Sequence, residues 1–269
     1  MLTSVGIALY CTTAFYVLFC ACSTRKQYRF YILALLSLAL DVPFVALEMR
    51  INGMHGVLPR VVYLLHLIAM GVQFQQLAGI MHHHLFVYRR ILTSELYAPH
   101  GKRAQFLKGV AAGSSTVYFL MLVLHLVVAP TQALEIAFYS SVFLPTLVAL
   151  VALMSTMLSL CFLNYVRMVH RILNKLGETQ RDSKQRMQRA AVVCCLVFAL
   201  KTISIVVINY TELQLPIDAW TAVYHWIPML VPTLALAHVH RVNVQSDAAA
   251  RAEVAEFGET SWGEANIEL

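Results

Sequence analysis

Seven long apolar stretches, separated by short polar joints, set the pattern of this chain. Residues 2–22, 30–49, 58–81, 109–129, 136–163, 190–210 and 219–239 are each nearly free of charge. At about 1.5 Å of rise per residue each crosses roughly 30 Å of hydrocarbon as a helix. Strands are excluded, because a lipid-spanning strand alternates polar and apolar over about ten residues, whereas these segments are continuously apolar. The joints 50–57, 130–135 and 211–218 are too short to fold by themselves. The pattern therefore predicts an all-α integral membrane bundle of seven transmembrane helices over 1–241, followed by a tail over 242–269. The first stretch has no basic run before it and exceeds the core of a secretory signal, so it reads as a retained helix.

Composition agrees with that pattern: 59% hydrophobic residues and only 13% charged do not describe a water-soluble domain. Charge then sets orientation. Of 20 Lys and Arg residues, seventeen lie in the first, third and fifth joints and the tail, against Arg50 and Arg60 on the opposite side and Lys201 inside a stretch. Basic residues stay with the cytosolic face, so the amino terminus is expected outside and the carboxyl terminus in the cytosol, the topology of G-protein-coupled receptors. The net charge of +6 reads as topology and as contact with anionic lipid headgroups, not as nucleic-acid binding.

Two ionisable residues fall deep inside stretches. Asp41 lies twelve residues after Arg29 and Lys201 twelve after Arg189, which puts both roughly 18 Å from the cytosolic face. A charge in hydrocarbon is costly unless paired or hydrated, so Asp41 and Lys201 are expected either to face the bundle interior, where they pair or share a polar cavity, or to find separate backbone or water partners. Gln73 and Gln76 share one face of the third stretch, with Gln75 offset, and suit hydrogen bonds between helices. His66, His125 and His225 with Trp226 could line a cavity open to the outside. Pro43, Pro228 and Pro232 are candidate helix kinks.

No metal or cofactor is expected. His82, His83 and His84 point about 100° apart on a helix and cannot chelate one ion together; His238 and His240 share the fault. No Gly-rich phosphate loop and no nucleophile elbow is present. All six cysteines lie within stretches, which leaves none for a disulfide outside, while Cys20, Cys22 and Cys161 are placed for S-acylation. The sequon at Asn209 sits too near the bilayer to be an easy glycan acceptor.

Residues 164–189 are long enough to extend the fifth and sixth stretches into the cytosol as a basic helical hairpin. Arg167, Arg171, Lys175, Lys184, Arg186 and Arg189 would give it a surface for a partner or for anionic lipid. After Arg241 the chain turns acidic with few apolar residues, which predicts disorder, with a short helix around 248–256.

The run Ser183-Lys-Gln-Arg-Met-Gln-Arg-Ala-Ala-Val-Val-Cys-Cys-Leu-Val-Phe-Ala-Leu-Lys201 resembles the loop-to-sixth-span junction of the tobamovirus multiplication proteins of plants and their eukaryotic relatives. There a Lys/Gln-rich run enters a Cys-containing span with a basic residue near its middle, the position of Lys201. Leu230-Val-Pro-Thr-Leu-Ala-Leu236, with Arg241 behind it, is similar to that family's seventh span. Asp41 stands where the family tends to carry an arginine, and Gly79 where it tends to carry an acid. The resemblance implies a divergent member: a receptor-like, non-enzymatic protein of endomembranes or the plasma membrane that recruits partners such as small GTPases.

Two other readings share the helix count. A conventional G-protein-coupled receptor would use the third and fifth joints for a heterotrimeric G protein, and Ser37-Leu-Ala-Leu-Asp41 resembles the acidic second span of rhodopsin-like receptors. However, His84-Leu-Phe-Val-Tyr-Arg-Arg90 lacks their acid-arginine-tyrosine triplet, and Val231-Pro232 stands in place of Asn-Pro. A small-solute or lipid transporter would use the helices broken at proline, although no inverted repeat is visible.

Overall fold

The computed structural model describes the backbone of residues 2–24, 28–51, 57–91, 94–128, 144–173, 178–210, 219 and 221–265. Side chains at 81–101, 124–128 and 250–265, and at shorter stretches near helix ends, lie outside that description. So do Lys175, the side chains of His82, His83, His84 and His125, the sequon at Asn209, residues 136–143 of the fifth expected span, and the joints 52–56, 130–135 and 211–218.

The described residues form seven α-helices. They are α1 (Leu2–Thr24), α2 (Tyr28–Ile51), α3 (Val57–Ile91), α4 (Ser94–Val128), α5 (Leu144–Leu173), α6 (Glu178–Tyr210) and α7 (Ile227–Ala265). A π-helical turn, Ala222–Trp226, leads into α7. Each helix packs on the next in sequence, and α7 closes the ring against α1. The third helix takes the inner position, touching α5 as well as its neighbours α2 and α4.

Among the described residues, six of the seven helices are long and apolar enough to cross a membrane, and those described in α3 give the stretch Leu64–Ile80. That stretch carries His66, Gln73, Gln75 and Gln76. Its inner position explains that polarity: His66, Gln73 and Gln76 are all buried against other helices and need not face lipid.

Polarity runs inside out. Phe15 and Leu196 are 73% and 64% exposed, whereas Asp41 and Lys201 are 0% and 3% exposed. In water each such side chain would lose roughly 1.5–3 kcal/mol of burial, but against acyl chains nothing is lost. The protein is embedded in a membrane and crosses it several times.

The helices outrun the expected spans. The expected third joint is mostly helix, since α3 continues to Ile91 and α4 begins at Ser94. The basic segment after the fifth span continues α5 to Leu173, and α6 starts at Glu178. The tail expected to be disordered after Arg241 is instead helix through Ala265. Ala248, Ala249, Ala250, Ala252 and Ala255 have the highest helix propensity, and extending an existing helix needs no new nucleation.

Gly6 lets α1 approach the start of α7. A β-carbon there would lie 2.7 Å from the Trp226 ring and 2.8 Å from Val45, closer than side chains tolerate. Gly6→Val is therefore expected to lower stability by about 1–3 kcal/mol, read as an earlier midpoint in SDS titration of the purified protein; an unchanged midpoint would show that α1 is not seated against Trp226.

Candidate functional site: a polar cluster inside the bundle

Asp41 is seated by two neighbouring helices. The Tyr10 hydroxyl on α1 donates to Oδ2 at 2.5 Å. His66 on α3 contacts Oδ1 through Nδ1. An ionised carboxylate only accepts, so the imidazole is the donor and carries its proton on Nδ1. The His66 ring stacks on Phe44, centroids 4.1 Å apart, and meets His225 edge-on at 4.6 Å. His225 in turn packs against Tyr224, at 4.5 Å, so the chain of rings runs from α2 and α3 into the π-helical turn.

Lys201 reaches the cluster from α6. Its Nζ lies 3.6 Å from the Met70 sulfur and 5.1 Å from the centre of the Tyr224 ring, where cation–π attraction helps hold a charge. Asp41 and Lys201 thus occupy one interior but make no direct ion pair: the carboxylate bonds to Tyr10 and His66, and the amine bonds to Met70. Each charge has partners of its own, which is the arrangement expected where the two do not pair directly. A cavity of about 20 Å³, room for one water, is lined by Lys201, Gln73 and Ser155 among mainly apolar neighbours. A water there would give the Lys201 amine a strong acceptor.

Gln73 satisfies the break in α7. Pro232 has no N–H, so the carbonyl four residues earlier, on Pro228, has no helical donor. The Gln73 amide supplies one, donating to Pro228 O at 2.7 Å and to Met229 O at 3.0 Å. Thr233 Oγ1 also donates to Met229 O, at 2.8 Å. Pro228 likewise lacks a donor and follows the π-helical turn, where Ile227 N–H bonds to Ala222 O. Pro43 lies inside α2, two residues beyond Asp41. Gln76 is buried, yet its amide has no hydrogen-bond partner among the described residues. Gln75 points sideways and bonds to Ser115 on α4. Gln73→Leu is expected to cost about 1–3 kcal/mol by orphaning the Pro228 carbonyl, measured by SDS titration; Gln73→Met at wild-type stability would show that the carbonyl needs no donor.

At the other end of the bundle Arg167, Arg171, Arg181 and Arg189 are exposed along α5 and α6, and Lys184 and Arg186 are half-buried. Arg186 Nε donates to Asn243 Oδ1 at 3.2 Å, tying the α5–α6 hairpin to the extension of α7. Arg241 stacks over Phe19 at 4.3 Å, and the Tyr16 hydroxyl meets His238 Nδ1 at 2.7 Å, joining α7 to α1. Of the three cysteines placed for acylation only Cys22 is exposed; Cys20 and Cys161 are buried between helices.

Tyr10, Phe44, Met70 and Tyr224 were not singled out from sequence as partners of the charged pair. Depth arithmetic on every polar residue, not only on charges, finds Tyr10: it lies fourteen residues before the end of α1 at Thr24, roughly 21 Å in. His66 and His225 are both buried in the cluster, while the His125 side chain lies outside the described residues. Among the described residues no three His, Cys, Asp or Glu side chains gather as metal ligands.

These features define a class: a multi-pass helical membrane protein with an acid, an amine and two imidazoles sealed in its interior. Compared with family models, with curated proteins and with solved structures, the chain matches none.

Proposed function

We propose that the chain is a seven-helix, receptor-like membrane protein without catalysis of its own, which recruits a cytosolic partner through its basic helical hairpin. The observation that carries this reading is that α5 and α6 continue as helices to Leu173 and from Glu178, presenting Arg171, Arg181 and Arg189 to solvent. Helices that connect a bundle interior directly to such a surface can transmit a shift in packing to a bound partner. The seven-helix count takes α3 as a crossing, its polarity absorbed by its inner position. The excess of basic residues on one side puts the amino terminus outside and the hairpin in the cytosol. On the same reading the protein is a divergent relative of the tobamovirus multiplication proteins, working in endomembranes or at the plasma membrane, with a small GTPase as partner.

A conventional G-protein-coupled receptor is the closest alternative. A transporter is a second, favoured by one observation: α7 carries Pro232 within it, and the Pro228 carbonyl that this proline leaves without a helical donor is met by Gln73 of α3.

Proximity labelling from the carboxyl-terminal tail distinguishes these. Small trafficking GTPases among the labelled neighbours are expected; heterotrimeric G-protein subunits would move the protein to the receptor class, and neither class among them would overturn partner recruitment. Orientation is tested with single cysteines at Gly53 and Ser183 in a cysteine-free background. Ser183 should react with an impermeant thiol reagent only after permeabilisation; reaction in intact cells would invert the topology.

A further inference from the structure

A groove of about 510 Å³ lies between α4 and α5, lined by Lys102 and Phe106 on one helix and Leu160, Leu163, Asn164 and Arg167 on the other. The spacing on each helix gives it a direction. Lys102 and Phe106 are four apart and share a face of α4; Leu160, Leu163 and Arg167 share a face of α5. The two helices are antiparallel in the ring, yet both cations stand at the same end. Lys102 lies roughly 6 Å beyond Phe106 along α4, and Arg167 roughly 10 Å beyond Leu160 along α5.

Two positive groups therefore sit above an apolar wall. That wall opens sideways: Phe106 is 68% and Leu160 41% exposed, on the surface that faces acyl chains. Neither Lys102 nor Arg167 has an acidic partner among the described residues. A soluble anion would satisfy the cations and leave the apolar wall bare, whereas a soluble apolar molecule would leave the cations unpaired. A phospholipid matches both parts in order, phosphate first and chain below, and enters through the lateral opening.

We infer that the α4–α5 groove is a specific site for one anionic glycerophospholipid of the cytosolic leaflet. Its headgroup phosphate lies between Lys102 and Arg167, and one acyl chain lies along Phe106, Leu160 and Leu163. The guanidinium can bind two phosphate oxygens at once, and the ammonium supplies a point charge. The inference rests on the proposed orientation, which puts Lys102 and Arg167 at the cytosolic headgroup level.

The test is native mass spectrometry of the full chain, extracted from membranes into detergent and titrated with phosphatidylserine or phosphatidylcholine. One tightly held phosphatidylserine per chain is expected, with phosphatidylcholine much weaker. Lys102→Ala with Arg167→Ala should weaken it about thirtyfold, and Leu163→Trp, which fills the groove without changing charge, should also displace it. Retention of the lipid in both variants would overturn the site. Equal loss on Arg171→Glu with Lys184→Glu and Arg189→Glu would also overturn it, because the lipid would then be held by the hairpin surface. Displacement by inorganic phosphate at matched concentration would assign the cations to a soluble anion and overturn the lipid assignment. Binding in detergent does not depend on orientation, so a lipid held with Ser183 labelled in intact cells would sink the topology and leave the groove standing, in the opposite leaflet.

Discussion

Asp41→Ala lowers the stability of the purified protein by about 3–5 kcal/mol in SDS titration. The carboxylate is the acceptor for Tyr10 and His66 and, like the Lys201 amine, is buried inside the bundle. Its removal orphans two donors and leaves the amine uncompensated in a medium that solvates ions poorly. Asp41→Asn keeps the shape and one acceptor oxygen but turns an amide donor toward a second donor, so about half of the loss is expected. The informative variant combines Asp41→Asn with Lys201→Met. If the acid serves to balance the amine, removing both recovers stability relative to Asp41→Asn, with a coupling of about 0.5–3 kcal/mol. Strict additivity would show that the two charges are independent. Exchanging the residues, Asp41→Lys with Lys201→Asp, should not rescue, because position 41 is built from donors. Rescue by the exchange would mean that Tyr10 and His66 do not hold the carboxylate.

The second large effect belongs to the hairpin. Arg171→Glu with Lys184→Glu and Arg189→Glu is expected to abolish labelling of the cytosolic partner, a loss of about a hundredfold for three basic residues worth roughly 1 kcal/mol each. These side chains lie outside the polar cluster, so the bonds made by Asp41 and Lys201 are left in place. Topology should also hold, since the bias of basic residues toward one face far exceeds three positions. Unchanged labelling would remove the hairpin from the recruiting surface. Arg186→Ala separates surface from scaffold: its bond to Asn243 fastens the hairpin to α7, so it should blur the labelling pattern and not erase it.

The bundle was legible because lipid imposes a length. A helix that crosses hydrocarbon must be apolar for about twenty residues, and that constraint is written in the chain without reference to any neighbour. The burial of Asp41 and Lys201 was legible on the same ground, since a charge within an apolar stretch must turn away from lipid. Helix ends beyond the membrane were not legible, since water solvates loop and helix backbone alike. There the Ala-rich extension of α7 and the continuation of α3 to Ile91 and of α4 back to Ser94 follow from propensity added to a nucleated helix.

Partners were beyond the reach of periodicity. Equal depth left Asp41 and Lys201 free to pair, but depth carries no angle about the bundle axis. Tertiary packing brought Tyr10 and His66 to the carboxylate and turned Lys201 toward Met70 and Tyr224. Gln73 is the clearest instance: the sequence shows an amide in α3 and a proline in α7, and only the fold lays one against the carbonyl that the other exposes. Length and polarity were therefore determined by the chain alone, because the bilayer acts on each helix separately. Pairing was decided by the rotation and packing of helices far apart in sequence, because a hydrogen bond needs both ends in place.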